Sequence, residues 1–315
     1  MLEIKNLKKY FKIQNPFQTH KNILCAVDGV SLKVLHGETL GLVGESGCGK
    51  TTLGKSILRL IEPSSGEIFF EGTNILNISE RELKKIRVQM QMIFQNPYAS
   101  LNPRIRIGEA IGEILEIHKL CENKMIYEKV VHLLEIVGLQ KEDYYKYPHE
   151  FSGGQRQRIC IARAIASTPK FIVADEPVSS LDVLIQAQII KLLFELQEKF
   201  NLSYLFISHD LRIVEQICNR VAVMYLGKII EEGINLSQTA LHPYTKALIS
   251  AVPKGVPGAR LNRIRLQGDP PSPFDFPKGC RFHPRCYIKN EICTNSEPSL
   301  REIEPCHYVS CHLIQ

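Results

Sequence analysis

The 315-residue sequence contains no run of about 18 apolar residues, which is the length that a helix needs to cross a membrane. Its first residues, MLEIKNLKKYF, lack the apolar stretch and the cleavage site of a secretory signal. It contains no block of like charges, and 39 Lys and Arg against 33 Asp and Glu leave too small an excess to indicate a nucleic-acid-binding protein. These absences predict a cytoplasmic protein whose ten cysteines are thiols or metal ligands rather than disulfides.

The spacing of apolar residues predicts an α/β protein with a mostly parallel sheet. LEIKNL and AVDGVSLKV alternate apolar and polar residues, as the strands of a β-rich lobe do, and the polar stretch KIQNPFQTHKN between them indicates a loop. Residues from about 97 to 152 read mostly as helices. They are followed by a strand (FIVADEP), a helix (DVLIQAQIIKLLFELQEKF) and a second strand (YLFISHD), which is the alternation that builds parallel sheets.

The character of the chain changes after about residue 235, where periodicity fades and Pro and Gly become dense, as in GDPPSPFDFPKG. We therefore expect one domain at residues 1–235, with a helical subdomain at about 97–160. Residues 236–315 form the second region, a small irregular C-terminal extension that contains half of the cysteines.

The stretch GESGCGKTT fits the G-x-x-x-x-G-K-[ST] pattern and lies between a predicted strand and a predicted helix. Its glycines allow the backbone to wrap a phosphate with the N–H groups pointing inward. We expect Lys50 to reach the β- and γ-phosphates of a nucleotide, and the hydroxyl of Thr51 to ligate Mg²⁺. The predicted nucleotide-binding residues are Gly44, Glu45, Ser46, Gly47, Cys48, Gly49, Lys50, Thr51 and Thr52.

The strand FIVADEP ends in two acidic residues, Asp175 and Glu176. Asp175 is suited to hold Mg²⁺ through water, and Glu176 is suited to polarise an attacking water. A helix cap before Pro177 is the alternative interpretation of acids at this position.

A second phosphate-binding pattern, FSGGQRQR, follows about a hundred residues after the first. Ser152, Gly153, Gly154 and Gln155 stand directly before an amphipathic helix, where free N–H groups and the helix dipole favour an anion. One chain therefore carries two devices for the same kind of ligand.

Taken together, GESGCGKTT, FQNP, FSGGQRQR, VADEP, SSLD and ISHD resemble the motif series of ABC-transporter ATP-binding subunits, in that family's order, across residues 1 to about 235. The resemblance implies a nucleotide-binding domain with a RecA-like core, an antiparallel β lobe and a helical subdomain. It also implies roles for single residues. Gln95 touches Mg²⁺ and the attacking water, His209 bonds the γ-phosphate and orients Glu176, and Asp182 crosses a dimer interface. Phe11, with Tyr10 as the alternative, stacks on adenine.

The same resemblance explains the second device. In this family the SGGQ helix presents its serine and its glycine amides to the γ-phosphate that another subunit holds. It therefore implies a head-to-tail dimer with two ATP molecules between the subunits.

GESGCGKTTLGKSILRLIEPSSGEI, FQNPYASLNPR and HPYTKAL are similar to the ATP-binding subunits of dipeptide and oligopeptide (peptide/nickel) importers. That similarity implies an ATPase at the cytoplasmic face of the inner membrane that energises peptide uptake. The implied partners are a related second ATP-binding subunit, two transmembrane permease subunits and an extracytoplasmic binding protein, with no nucleic acid. The insertion from Gln14 to Asn22 resembles the second of the two paired ATPases. The same motor serving nickel or another small solute, and a soluble ABC ATPase in DNA repair or translation, are the alternatives.

Five cysteines crowd the last thirty-six positions, three of them at C-x5-C-x6-C spacing. Soft thiolates favour zinc or iron–sulfur centres, but this spacing fits neither common zinc patterns nor ferredoxin runs. Some dipeptide-importer ATPases with a similar tail bind a [4Fe–4S] cluster, and the resemblance implies Cys280, Cys286, Cys293 and Cys311 as its ligands. Zinc, with His307 and His312 nearby, and thiols without any metal are the alternatives.

Overall fold

The computed structural model describes residues 1–13, 22–251 and 263–314, so most of the predicted insertion at Gln14–Asn22 lies outside the described residues. The strands are β1 (Leu2–Ile13), β2 (Asn22–Val34), β3 (Thr39–Val43), β4 (Ser65–Phe70), β5 (Thr73–Asn74), β6 (Met90–Ile93), β7 (Phe171–Asp175), β8 (Ser203–Ser208), β9 (Arg220–Tyr225), β10 (Lys228–Gly233), β11 (Arg301–Glu304) and β12 (His307–Val309). The α-helices are α1 (Lys50–Ile57), α2 (Glu80–Gln89), α3 (Pro97–Ser100), α4 (Ile107–Ile117), α5 (Ile126–Ile136), α6 (Gly153–Ile165), α7 (Val183–Phe200), α8 (Leu211–Ile217), α9 (Leu236–Thr239), α10 (Pro243–Ser250) and α11 (Glu291–Asn295). Short 3-10 helices lie at Asn123–Met125, Lys141–Tyr145, Pro148–Glu150 and His283–Arg285.

These elements form two compact units, and the predicted α/β class is confirmed. The first unit contains residues 1–34, 39–76 and 208–315, and the second contains residues 35–38 and 77–207. Within the described ranges, none of the helices has the length and the apolar character needed to cross a membrane.

The first unit contains an antiparallel sheet with the strand order β2-β1-β4-β5, which is the antiparallel lobe that the family resemblance implies. A second group of its strands has the order β11-β12-β10-β9-β3. In this group β3 and β9 run parallel, with Leu40 opposite Arg220, while the other neighbours are antiparallel. Because β3 is buried along its whole length, the loop that follows it starts from a rigid support.

The second unit contains three parallel strands in the order β8-β7-β6, with β7 in the middle. All five residues of β7 are buried, as its run of apolar residues predicts for a central parallel strand. The chain from residue 97 to residue 165 consists mainly of helices α3, α4, α5 and α6 with 3-10 turns between them, which matches the predicted helical stretch.

The C-terminal extension is irregular from residue 263 to residue 279 and regular at both of its ends. HPYTKAL contributes helix α10, and the last residues form strands β11 and β12. β12 pairs with β10 of the first unit, with Glu231 opposite Val309 and Glu232 opposite Tyr308. Strands of three and four residues are too short to show a periodic pattern, which is why the sequence did not predict them.

A buried carboxylate joins this extension to β10. Glu231 is 0% exposed, and it accepts hydrogen bonds from the backbone N–H groups of Leu241 and His242. Its side chain also contacts Nε2 of His307 at 2.9 Å. Each oxygen of the buried carboxylate therefore has a donor, as a group removed from water requires.

His242 makes the stability of the first unit depend on pH. It is fully buried as the N-cap of α10, with Nδ1 accepting from the N–H of Tyr244. Burial lowers the pKa of His242 from 6.5 to about 3, against a hydrogen bond to the backbone of Ser310 that raises it. Since the unfolded chain binds the proton first, stability is complete above pH 6.5 and falls as the pH drops toward 3. Each pH unit below 6.5 costs up to about 1.4 kcal/mol of unfolding free energy.

Asn can still cap the helix but does not titrate in this pH range. We therefore expect the urea midpoint of His242→Asn to fall less than that of wild type between pH 6 and pH 5, because unfolding no longer includes the uptake of one proton by this histidine. His149→Asn, at an exposed position in the second unit, controls for the loss of an imidazole. Equal slopes in wild type and His242→Asn would contradict the assignment.

Candidate nucleotide-binding site

The phosphate loop lies between the end of β3 and the start of α1, and neighbouring backbone packs against it. A Cβ atom on Gly49 would lie 2.0 Å from the carbonyl oxygen of Ala26, and Gly49 has a φ of +110°. A Cβ atom on Gly44 would lie 2.2 Å from the carbonyl oxygen of Met224. Only glycine fits at these two positions, so the neighbouring backbone restrains the conformation of the loop.

Lys50 is the first residue of α1, and its side chain turns back into the loop. It is 5% exposed, and Nζ donates to the carbonyl oxygens of Gly44 at 2.7 Å and Glu45 at 2.9 Å. Nζ also lies 3.8 Å from Sγ of Cys48. The loop therefore holds a buried positive charge at the N-terminus of a helix, where both the charge and the helix dipole attract a phosphate.

The two aromatic candidates for adenine stacking, Tyr10 and Phe11, make different side-chain contacts. The hydroxyl of Tyr10 donates to Oδ1 of Asp28 at 2.6 Å, and burial together with this hydrogen bond raises the pKa of the phenol well above its usual value. Phe11 is half-buried, and Nζ of Lys9 lies 4.8 Å from the centre of its ring. Because successive residues of a strand point to opposite faces, the two rings lie on different sides of β1, and the hydroxyl of Tyr10 is bonded to Asp28.

In the second unit, the structure brings together the predicted base and the predicted glutamine. Nε2 of Gln95, which follows β6, donates to Oε2 of Glu176, which follows β7, at 2.8 Å. The backbone of Glu176 has a φ of +45°, a left-handed conformation that is uncommon for a residue with a side chain. Its N–H donates to the carbonyl oxygen of Ile207 at 2.9 Å, which fixes this turn to the end of β8.

The oxygen donors predicted for Mg²⁺ have the right chemistry. Asp175 is the last residue of β7 and is 2% exposed. The amide nitrogen of Gln95 faces Glu176, so its carbonyl oxygen is directed to the other side of the amide group. Hydroxyl, carboxylate and amide oxygens are hard donors of the kind that Mg²⁺ takes, and the side chains of Thr51, Asp175 and Gln95 supply one of each.

The SGGQ helix is capped by its own motif. Oγ of Ser152 accepts from the N–H of Gln155 at 3.3 Å, and the side chain of Gln155 accepts from the N–H of Ser152 at 2.9 Å. The first turn of α6 contains no acidic residue, so its positive end is not neutralised there. A Cβ atom on Gly154 would lie 2.5 Å from Cγ2 of Ile185 in α7, so the glycine allows α6 to pack closely on α7.

Asp182 directly precedes helix α7, and His209 lies between strand β8 and helix α8. Asp182 caps α7, and its Oδ1 accepts from the N–H of Ile185 at 3.1 Å. His209 follows β8 and is exposed. It belongs to the first unit with the phosphate loop, whereas Gln95 and Glu176 belong to the second.

Two family signatures match the chain. That of the ABC transporter family matches residues 27–179, and that of the oligopeptide/dipeptide transporter C-terminal region matches residues 231–293. The oligopeptide transport ATP-binding protein AppF of Bacillus subtilis is 51% identical over 319 residues, which cover 99% of this chain and 97% of AppF. The chain belongs to the ATP-binding proteins of oligopeptide and dipeptide ABC transporters.

Further relatives agree with this assignment. The dipeptide transport ATP-binding protein DppF of Haemophilus influenzae is 46% identical over 314 residues, covering 99% of this chain and 96% of DppF. A solved dimeric structure of the ATP-binding cassette MJ0796, bound to ADP and Pi, matches with a TM-score of 0.66 and 28% identity. The match covers 74% of the present chain and 98% of the MJ0796 chain. The family and the cassette fold that the motifs predicted are thus confirmed.

The cysteines of this ABC transporter subunit do not form a metal site in the described part of the chain. There, no group of three or more His, Cys, Asp or Glu side chains is arranged to hold a metal ion. Cys280 and Cys293 are nevertheless neighbours, since the N–H of Cys280 donates to the carbonyl oxygen of Cys293 at 2.9 Å. Burial raises the pKa of the Cys280 thiol to about 11, with smaller contributions from the nearby thiols of Cys286, Cys293 and Cys311. Cys306 is exposed.

Sequence reasoning missed two groups of arginines. In α6, Nε of Arg156 donates to the carbonyl oxygen of Pro148 at 2.6 Å, and Arg158 donates to that of Val137 at 2.6 Å. Both arginines of the FSGGQRQR stretch therefore donate to main-chain carbonyl oxygens of the second unit. The second group, in the C-terminal extension, includes Arg285, which contacts the phosphate loop at Glu45. No spacing in the sequence indicates a contact between residues 240 positions apart.

Lys50→Ala removes the buried ammonium from the phosphate loop. A charged hydrogen bond contributes about 1.5–3 kcal/mol, so we expect ATP affinity to fall by roughly 10- to 150-fold. Equilibrium binding of radiolabelled ATP to the full chain measures this. Lys55→Ala, in the last turn of the same helix, is the matched control and should bind ATP like wild type. Equal affinities for all three proteins would exclude Lys50 from the phosphate site.

Proposed function

We propose that this chain is the ATP-hydrolysing subunit of an ABC importer that takes up dipeptides or oligopeptides across the cytoplasmic membrane, and that it acts at the cytoplasmic face. The observation that carries the proposal is the hydrogen bond between Gln95 and Glu176, which places a carboxylate and an amide together beside a buried strand. The names of the relatives, which are peptide transport ATP-binding proteins, support the choice of cargo. We assign the motor to residues 1–235 and treat residues 236–315 as an extension of it.

The phosphate loop binds the triphosphate of ATP through its backbone N–H groups and the ammonium of Lys50. Phe11, a half-buried aromatic residue of β1, is the residue we assign to stacking on adenine, and the bond of the Tyr10 hydroxyl to Asp28 supports this choice over Tyr10. Thr51, Asp175 and Gln95 would hold Mg²⁺, and the ion would neutralise negative charge on the phosphates of ATP. These residues position the γ-phosphate for in-line attack by water.

Glu176 accepts a proton from the attacking water as the oxygen of that water bonds to the γ-phosphorus, while the bond from this phosphorus to the β–γ bridging oxygen breaks and ADP leaves. Gln95 holds the carboxylate in place through its amide nitrogen, and its carbonyl oxygen would be a ligand for Mg²⁺. The backbone of Glu176 has a φ of +45°, a conformation that costs free energy for a residue with a side chain, which supports a positional role for this strain. His209 bonds the γ-phosphate and steadies Glu176 in the closed state.

The second half of each site comes from a related ATP-binding subunit. The first turn of this helix contains no acid, so the positive helix end at Ser152, Gly153, Gly154 and Gln155 suits the γ-phosphate held by the partner. Asp182 lies at the start of α7, next to this helix, and aligns the two halves. ATP closes the dimer, and hydrolysis opens it. Two permease subunits and an extracytoplasmic binding protein complete the importer, and the Gln95 loop transmits the movement to the permeases.

Glu176→Gln tests both the motor and the cargo. Loss of a general base lowers turnover by about 100-fold or more, while the amide preserves the size of the side chain and ATP binding. We therefore expect cells that contain this protein only as the Glu176→Gln variant to lose uptake of a labelled dipeptide. Their nickel uptake should be unchanged.

Glu195→Gln, an exposed glutamate on α7, is the matched control and should transport normally. Loss of nickel uptake alone would support the ATPase role but show that the cargo is nickel rather than a peptide. Normal uptake of both solutes would contradict the importer function and favour a soluble ATPase.

We also propose a [4Fe–4S] cluster bound by Cys280, Cys286, Cys293 and Cys311, with a structural role because ATP hydrolysis needs no redox step. The proximity of these thiols supports it, whereas their arrangement in the described residues is not that of a metal site.

The test is the content of iron and acid-labile sulfide, with visible absorbance, in anaerobically purified protein. We expect about four irons per chain, lost in Cys293→Ser and retained in Cys121→Ser, which lies outside the extension. Zinc in place of iron would support the alternative metal, and absence of both metals would contradict any metal centre.

A further inference from the structure

The phosphate loop contains a carboxylate that the C-terminal extension engages directly. Nη1 of Arg285 donates to Oε2 of Glu45 at 2.9 Å, and Nη2 donates to Oε1 at 3.1 Å. Both carboxylate oxygens are therefore paired with one guanidinium, in the bidentate geometry that gives the strongest arginine–carboxylate contacts. The side chain of Arg285 is 9% exposed and that of Glu45 is 27% exposed, so water screens this ion pair only weakly.

The main-chain polar groups of Glu45 are also bonded. Its N–H donates to the hydroxyl of Tyr244 at 2.9 Å, and its carbonyl oxygen accepts from Nζ of Lys50. Tyr244 belongs to α10, so two elements beyond residue 235 hold the same loop residue. Glu45 thus connects the extension with the lysine of the phosphate loop.

Arg285 rests on a rigid aromatic support. The hydroxyl of Tyr225 accepts from Nη1 of Arg285 at 3.4 Å. The rings of Tyr225, Tyr244 and Phe282 pack together, with centroids between 4.6 and 5.5 Å apart, and all three are buried. Arg285 follows Phe282 within one 3-10 turn, and its N–H donates to the carbonyl oxygen of Phe282 at 3.0 Å, so the backbone that carries the guanidinium is tied to this cluster.

Stability alone is a weak explanation for this pair. Nε of Arg285 is buried without a hydrogen-bond partner among the described residues. Removing an arginine from water while leaving one of its donors unbonded costs free energy, and buried ion pairs often stabilise a fold no better than apolar residues do. The effect of the pair on the loop therefore needs another account.

Electrostatics supplies that account. A carboxylate beside a phosphate-binding loop repels the negative charges of a nucleotide, and the repulsion is stronger near a buried site than in water. Arg285 cancels the charge of Glu45 through two hydrogen bonds, and it restrains the side chain of the residue whose carbonyl contacts Lys50. With the charge of Glu45 neutralised by the ion pair, the positive charge of Lys50 dominates the electrostatic potential at the phosphate site.

We propose that Arg285 is a positioning residue of the nucleotide site, which neutralises Glu45 and fixes its backbone so that the phosphate loop accepts ATP. This inference rests on the proposed function of the loop as an ATP site. It makes the C-terminal extension a determinant of nucleotide affinity.

The test is a double-mutant cycle in which the affinity of the full chain for ATP and for ADP is measured at low and high salt. Arg285→Gln leaves the carboxylate uncompensated, so we expect ATP affinity to fall about tenfold, a change of about 1.4 kcal/mol. The loss should be smaller for ADP, which carries less charge, and should shrink with added salt. Arg285→Lys, which keeps the charge but not the paired geometry, should lose less than Arg285→Gln.

The double variant Glu45→Gln/Arg285→Gln separates the electrostatic role from a structural one. We expect it to recover ATP affinity to within about threefold of wild type, because neither charge remains. Arg220→Gln, which breaks the ion pair of Arg220 with Glu232 elsewhere in the first unit, controls for the loss of such a pair. It should leave the affinity unchanged.

Three results would overturn the proposal: wild-type affinity in Arg285→Gln, no recovery in the double variant, or an equal loss in Arg220→Gln. Failure of the proposed function itself is a separate result. In that case the wild-type chain would not bind ATP, and Lys50→Ala would change nothing.

Discussion

The backbone of the phosphate loop is packed against two other stretches of backbone, and the first unit is arranged around that contact. The N–H of Gly227, in the turn between β9 and β10, donates to the carbonyl oxygen of Cys48 at 2.8 Å. The carbonyl oxygen of the same Gly227 accepts from the N–H of Asp28 in β2 at 2.9 Å. Loop, turn and strand are thus linked through one residue, and the glycines at 44 and 49 are required because that backbone leaves no room for a Cβ atom. A loop that must present its N–H groups to phosphate needs this support before the ligand arrives.

The C-terminal extension reinforces the same contact from its far side. Arg281 donates to the carbonyl oxygen of Leu226 in the turn and pairs with the carboxylate of Asp28. Burial raises the pKa of Asp28, but the hydroxyl of Tyr10 and the charge of Arg281 outweigh it and lower the pKa overall. Four positions further on, Arg285 pairs with Glu45. The extension therefore belongs to the nucleotide-binding unit in physical terms, although it contributes no motif of the cassette.

The motifs could be predicted from the sequence because phosphate chemistry acts on neighbouring residues. A glycine loop, its lysine and the following helix are contiguous, and a buried strand that ends in acids is equally local. The sequence could not predict that the hydroxyl of Tyr10 bonds to Asp28, because this partner lies eighteen positions away on another strand. β12 and the Arg285–Glu45 pair could not be predicted at all. Three residues show no period, and a contact across 240 positions exists only once the fold brings its partners together.

Two carboxylates of the candidate site illustrate how partner choice sets chemical role. Glu45 pairs with a guanidinium, which cancels its charge and occupies both of its oxygens. Glu176 accepts from the amide of Gln95, which orients the carboxylate without cancelling its charge. A carboxylate beside a phosphate loop has to be neutralised, whereas one that takes a proton from water has to keep its negative charge. The pairing of Glu45 with an arginine and of Glu176 with a glutamine meets these opposite requirements, which agrees with the proposals that Glu45 is neutralised and that Glu176 is the base.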